Sequence, residues 1–268
     1  MTIGFHYHQF RCDFTNLSFL RHANLEGFIV SMHQSGTHWL KHMLACAITR
    51  ELGLPPPQYA YAGDIIGGAK KPIVYPGVPS FGHSHTIPSP LMESTILRKF
   101  YRFPRYVLLI RNIRAMLVSH YEKYKPEYNC EFSEYLRGDA ANKRFDSDIW
   151  WCIRFQNAWG GIIEKFPDEF FIIKYEDLIV DALKQLEAIN TFLGLNLSPE
   201  SLQYGVNEST KVKMSAKPKK APRKVENKRI VVRMDSKKEE VVYSAKDDSF
   251  FKNTCKKYLK YDFGYDYS

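Results

Sequence analysis

The feature that most constrains this chain is a change of hydrophobic period across a glycine turn near its start. Glu26–Met32 (EGFIVSM) is a short β-prone run, HQSGTH follows, and WLKHMLACAITREL then repeats its apolar residues at helical spacing. Strand, tight loop and helix in that order aim free backbone N–H groups and the positive end of a helix dipole at one point, a geometry that holds phosphate. Gly36 permits close backbone approach, and Ser35 and Thr37 add hydroxyl donors. The loop His33-Gln34-Ser35-Gly36-Thr37-His38-Trp39 lacks the GxxxxGK[ST] pattern of kinases and ATPases. Taken alone, it fits an ordinary capped strand-to-helix turn equally well.

Alternation continues downstream. Pro and Gly crowd Leu54–Pro90, a loop-rich excursion suited to shaping a substrate site. Arg105–Ile110 (RYVLLI) is short and apolar on both faces, as a buried parallel strand is, and a helix is expected over Ile113–Lys123. Asp148–Lys165 reads as an amphipathic helix, and Glu169–Lys174 (EFFIIK) as another parallel strand. A helix ending near Gly194 then follows, and Phe250–Tyr261 closes the chain with a further one. The expected fold is a single α/β domain over residues 1–268, with a central parallel sheet flanked by helices.

Charge matters here through its location. The formal net charge is +9, yet Lys211–Lys238 alone holds twelve Lys and Arg against two acids. Such local basicity fits an anionic ligand or a basic loop better than a surface that tracks nucleic acid. Residues 209–238 are Lys-rich, Pro-punctuated and aperiodic, and are expected to form a mobile segment that closes over a ligand. No apolar run reaches the roughly 18–20 residues of a membrane span, and Met1–Phe10 does not read as an export signal. The five scattered cysteines include no CxxC pair, so the expectation is reduced thiols, no metal and a cytoplasmic protein.

Three segments together resemble the PAPS-dependent, cytosolic-type sulfotransferase family, PAPS being 3′-phosphoadenosine 5′-phosphosulfate. They are the loop HQSGTHW, similar to PKSGTxW; RNIRAMLVSHY after the RYVLLI strand; and IIKYEDLIVDALKQLEAINTFLGL. The resemblance covers about Glu26–Leu195 and rests on the joint order of the motifs. It implies a nucleotide-binding fold with a P-loop-like turn and, as cofactor, PAPS with 3′,5′-ADP as its product. It further implies that Arg111 and Ser119 grip the 3′-phosphate, Gln34–Trp39 wrap the 5′-phosphosulfate, and Tyr175 and Trp39 sit by the adenine. Plain core packing is the other reading of both aromatics.

Sulfuryl transfer needs an in-line acceptor, a base and stabilisation of the departing charge. The family's base is a His in a segment like KTHLP. Here the string is Gly82-His83-Ser84-His85-Thr86-Ile87-Pro88, in which His85 matches best and His83 takes the place of the family's Lys. Shifting the register makes His83 the base. Two departures stand out. Gln34 replaces a loop lysine, leaving three options: another cation such as Lys41 substitutes, the amide suffices at a slower rate, or PAPS binds poorly. Arg223-Lys224 is followed by Val225, where the family closes over the cofactor with Arg-Lys-Gly.

The expected acceptor is a small molecule with a hydroxyl or amine, and a bacterial natural-product tailoring role is the expectation for its source. Tyr59, Tyr61, Tyr75, Phe81 and Trp150-Trp151 are candidates for its pocket. Neither a nucleic-acid nor a membrane partner is expected, and the sequence leaves the oligomeric state open. A nucleoside or nucleotide kinase is the rival enzyme, and a basic RNA-binding protein the rival of another class.

Overall fold

The computed structural model describes residues 16–22, 25–68, 70–139, 144–220 and 243–268. Four strands, β1 (Gly27–Ser31), β2 (Phe81–Ser84), β3 (Arg105–Ile110) and β4 (Phe170–Lys174), form an all-parallel sheet in the order β2-β1-β3-β4. Among the described residues the helices are α1 (Thr37–Glu51), α2 (Thr95–Phe100), α3 (Ile113–Tyr128), α4 (Phe132–Arg137), α5 (Ile149–Lys165), α6 (Tyr175–Val180), α7 (Ala182–Leu193), α8 (Pro199–Glu208), α9 (Lys211–Ser215) and α10 (Ala245–Tyr258).

Both faces of the sheet are buried because the strands are apolar at successive positions, not at alternate ones. Phe28, Val30, Tyr106, Leu108 and Ile110 point into one layer with Met116 and Leu117 of α3 and Phe155 and Trp159 of α5. Ile29, Val107 and Leu109 point into the other with Leu40, Met43 and Leu44 of α1 and Leu186 and Ile189 of α7. Helix α8 seats closely on α1 at Gly205, where a Cβ would stand 2.4 Å from the Met43 carbonyl oxygen.

Caps set the helix boundaries. Asn112 and Asp148 accept hydrogen bonds from Ala115 N and Trp151 N at the starts of α3 and α5, caps that each contribute about 1 kcal/mol. The single helix expected after β4 is two, because Asp181 ends α6 and caps α7 through Lys184 N. Helix α3 runs past the expected Lys123 to Tyr128, through Pro126 in its last turn. The closing helix spans Ala245–Tyr258, started by a Ser244–Asp247 capping box. At the head of the segment expected to be aperiodic, Thr210 caps the short helix α9.

After β1 the chain crosses to β2 on one side and then to β3 on the other. The loops leaving β1 and β3 therefore border the point where strand order reverses, the usual crevice for a ligand in an open parallel sheet.

Candidate active site

Two regions meet at that crevice. The loop after β1 has Gln34 at φ 53° and Gly36 at φ 87°. Alternating a left-handed residue with right-handed neighbours turns successive N–H groups to one side, an anion-binding nest. Among the described residues, no backbone N–H from His33 to Trp39 has a backbone acceptor. Ser35 Oγ donates to the Met32 carbonyl at 2.6 Å and Thr37 Oγ1 to Ser31 Oγ at 2.7 Å, so both hydroxyls expected to meet a ligand are engaged within the protein.

Beyond β3 and β4, Arg111 and Tyr175 close on this loop. Arg111 Nη1 donates to the Gln34 carbonyl at 2.6 Å, and its guanidinium lies 4.4 Å from the centre of the Tyr175 ring. Arg111 Nε is buried without a partner, a donor aligned with nothing in the protein. The Tyr175 ring leaves no room beside the loop: a Cβ on Gly36 would stand 2.8 Å from Tyr175 Cδ2. Gln34, Gly36, Arg111 and Tyr175, more than a hundred residues apart in sequence at their extremes, are thus brought together. Ser119 lies seven residues after Asn112, on the same face of α3, half-buried.

The first N–H groups at the start of α3 are engaged within the protein: Asn112 N donates to Glu176 Oε1 (3.2 Å) and Ile113 N to the Tyr267 hydroxyl (3.1 Å). Glu176 is held in turn by the Tyr265 hydroxyl at 2.5 Å. Helix starts leave orphan donors, and here the aromatic tail satisfies them. The dense tyrosines of YDFGYDYS were the sequence signal for it.

The second region, on the β2 side, is a histidine cluster. His85 follows β2, with Nδ1 2.8 Å from the Ser31 carbonyl oxygen and 3.1 Å from Ser31 Oγ. The His33 ring stacks on it at 4.3 Å and also meets Trp151 (4.7 Å) and His120 (5.9 Å). Burial lowers the His85 pKa, the Ser31 backbone bond opposes this, and the charges of Lys123 and Lys41 add to the lowering. His33 and His120 are pressed to about 3, mainly by burial, and so stand neutral.

His83 faces Lys41 instead, with Nε2 3.4 Å from Lys41 Nζ. Its pKa falls to about 3 through burial and then the Lys41 charge. Lys41 is 2% exposed, and burial pulls its pKa down to about 8 against the opposing charge of Asp64. His38 stacks flat on Tyr61 at 3.6 Å, while Trp39 Nε1 donates to the Ser209 carbonyl at 2.9 Å.

Of the aromatic pocket candidates, Tyr61 and Trp151 reach this cluster. Trp150, on a different face of α5, packs on Tyr258, and Phe81 and Tyr75 join the core cluster beneath the sheet. Arg223 and Lys224 lie outside the described residues. His33, Lys123, His120 and Ser31 were not singled out as site residues from sequence, since their role depends on which strands and helices become neighbours.

An anion nest beside a buried, unpartnered arginine nitrogen, bordered by neutral imidazoles and a buried lysine, is an arrangement suited to holding a phosphate-like anion. A family model of the sulfotransferase domain matches residues 78–261. The chain belongs to the sulfotransferase family. The match begins beyond the phosphate loop, which rests on its own geometry.

A curated relative, flavonol 3-sulfotransferase of Flaveria bidentis, is 24% identical over 209 residues, covering 72% of this chain and 64% of that protein. The chain thus spans a little under two thirds of that relative's length. Mouse sulfotransferase SULT7A1, solved in complex with PAP, shares the fold with a TM-score of 0.56 at 17% identity, over 94% of this chain and 91% of that one.

Proposed function

We propose that the chain transfers the sulfuryl group of PAPS to a hydroxyl or amine of a small-molecule acceptor by in-line attack, with His85 as the general base. The observation that carries the reading is the buried, unpartnered Arg111 Nε beside the open N–H groups of the Gln34–Gly36 nest. When bound, PAPS supplies the sulfuryl group and leaves as 3′,5′-ADP.

The residues present fit that molecule. Backbone donors from Gln34 to Trp39, with Ser35, Gly36, Thr37 and His38 between, receive the 5′-phosphosulfate. Arg111 and Ser119 receive the 3′-phosphate, and Tyr175 and Trp39 flank the base. Gln34 keeps a donor without the charge, so the cation near the departing oxygen is assigned to Lys41. Its ammonium stands 3.4 Å from His83 Nε2. His83 holds the Lys41 ammonium and is the second candidate for the acceptor's proton. Arg223 and Lys224, with the rest of 209–238, close over the nucleotide in this proposal. The start of that segment is anchored where Ala60 N and Tyr61 N donate to the Pro218 and Lys219 carbonyls. Protection of 209–238 from protease by 3′,5′-ADP supports the closure, and unchanged cleavage opposes it.

The PAP in SULT7A1 and the flavonol of the plant relative support this class of donor and acceptor. The natural-product role and cytoplasmic setting belong to the same proposal; what the described residues show is that no helix is long and apolar enough to cross a membrane. The direct assay offers radiolabelled PAPS with a panel of phenols, alcohols and amines. Label on an acceptor, lost with Arg111→Ala, supports the function; hydrolysis no faster than in buffer across a broad panel, with no nucleotide binding, refutes it.

A further inference from the structure

Ser31, the last residue of β1, is fully buried and touches both halves of the site. Its carbonyl oxygen lies 2.8 Å from His85 Nδ1 and its hydroxyl 3.1 Å from the same nitrogen. A carbonyl oxygen has no proton to give, so the 2.8 Å contact requires the proton on Nδ1 and leaves Nε2 with its lone pair. On its other side, Ser31 Oγ accepts from Thr37 Oγ1 at 2.7 Å, and Thr37 is the first residue of α1, adjacent to Gly36 of the nest. The candidate base and the phosphate loop are therefore joined by one short line of hydrogen bonds: Thr37, Ser31, His85.

We propose that Ser31 is a positioning residue that fixes the Nδ1–H form of His85 and, with Thr37, relays the presence of an anion in the nest to that histidine. This rests on the reading of His85 as the base. With the nest empty, Thr37 donates to Ser31, and Ser31 Oγ divides its lone pairs between Thr37 and His85 Nδ1–H. An anion in the nest draws the Thr37 proton toward itself. Ser31 then turns its own proton to Thr37 Oγ1 and offers its lone pairs to His85 alone. Each hydroxyl keeps its own proton; only the direction of donation changes. A stronger acceptor at Nδ1–H makes Nε2 more basic, so the base gains strength when the donor is in place.

The other groups around His85 do not replace this line. His33 stacks on its ring and His120 stands behind, both neutral, while Lys41 of α1 and Lys123 of α3 act on it only as charges that oppose protonation.

The test is nitrogen-15 NMR of the full chain carrying labelled histidine, titrated over pH with and without saturating 3′,5′-ADP, with His85 assigned by its loss in His85→Gln. The wild type is expected to show the Nδ1–H form and a titration midpoint raised by the nucleotide. Ser31→Ala, and Ser31→Cys at nearly the original volume, should lose at least half of that rise while still binding 3′,5′-ADP. His22, stacked on Phe28 at 3.9 Å away from the site, serves as the resonance that reports an intact core in each variant. In turnover, Ser31→Ala should lower kcat about tenfold with little change in KM, a fraction of the roughly 10²- to 10⁴-fold that a positioned base contributes. An Nε2–H form in the wild type, no movement on adding nucleotide, or an equal movement in both variants overturns the proposal. If His85→Gln keeps wild-type kcat, the base assignment is what has failed; if it is inactive and the relay is absent, only the relay has.

Discussion

The two sides of the crevice are built by different means. On the nucleotide side, contiguous motifs do the work: a loop with two left-handed residues, an arginine at the end of β3 and a tyrosine at the end of β4. That side leaves donors open. On the acceptor side, five histidines and a buried lysine come from β2, the loop, α1 and α3: Lys41 meets His83, His33 stacks on His85, and His85 Nδ1 faces Ser31. Backbone geometry shapes an anion site that one ligand class can fill, whereas side chains assembled from distant segments set proton affinity.

The comparison breaks first at His85. His85→Asn should lower kcat roughly 10²- to 10⁴-fold while changing 3′,5′-ADP affinity only by the small coupling that runs through Ser31 and Thr37. Steady-state rates with calorimetry on the same preparation check it, and a parallel loss of nucleotide affinity would merge the two regions.

Gly36→Ala acts on the other side. A Cβ in the left-handed region, 2.8 Å from the Tyr175 ring, should cost roughly 1–3 kcal/mol of stability and weaken nucleotide binding. Thermal unfolding with and without 3′,5′-ADP measures both, and unchanged values would mean the loop and Tyr175 are not packed as described.

Lys41→Met sharpens the boundary. Burial lowers the folded-state lysine pKa to about 8 from the ordinary 10.5. The folded chain therefore binds that proton less readily than the unfolded chain, and the destabilisation is complete below about 8. It is relieved as pH rises through the folded value toward the ordinary one, so this term makes the wild type more stable across that window. Removing the charge should raise Tm near neutrality by roughly 2–4 °C and flatten the rise above pH 8. Turnover should fall nonetheless. A variant both less stable and fully active would contradict the assignment of Lys41 as a functional cation.

Much of the nucleotide side was legible because it is local. The β-prone run EGFIVSM and the two-sided apolar character of RYVLLI placed β1 and β3 within a residue or two, and each loop that follows carries its chemistry with it. Helix lengths were less legible. Helix α3 overruns the expected end at Lys123, since Tyr124 and Tyr128 pack with His120 and Tyr135 at the end of the helix. Nothing in sequence told Ser31 from any strand-end serine, nor showed that His33 would stack on His85, because both facts depend on β1 and β2 being parallel neighbours. The capping of α3 by Glu176 and Tyr267 was missed for the same reason: its partners sit 64 and 154 residues away.

In this proposal Arg111 and the nest form a pocket for a nucleotide carrying a 3′-phosphate. Calorimetric titration of 3′,5′-ADP and of ADP into the wild type and Arg111→Ala tests it most directly. The expected result is tight binding of 3′,5′-ADP, weak binding of ADP, and a loss of about 100-fold for 3′,5′-ADP alone in the variant, as when one partner of a buried charged contact is removed. Equal affinity for the two nucleotides, or a variant that binds 3′,5′-ADP like the wild type, would contradict it.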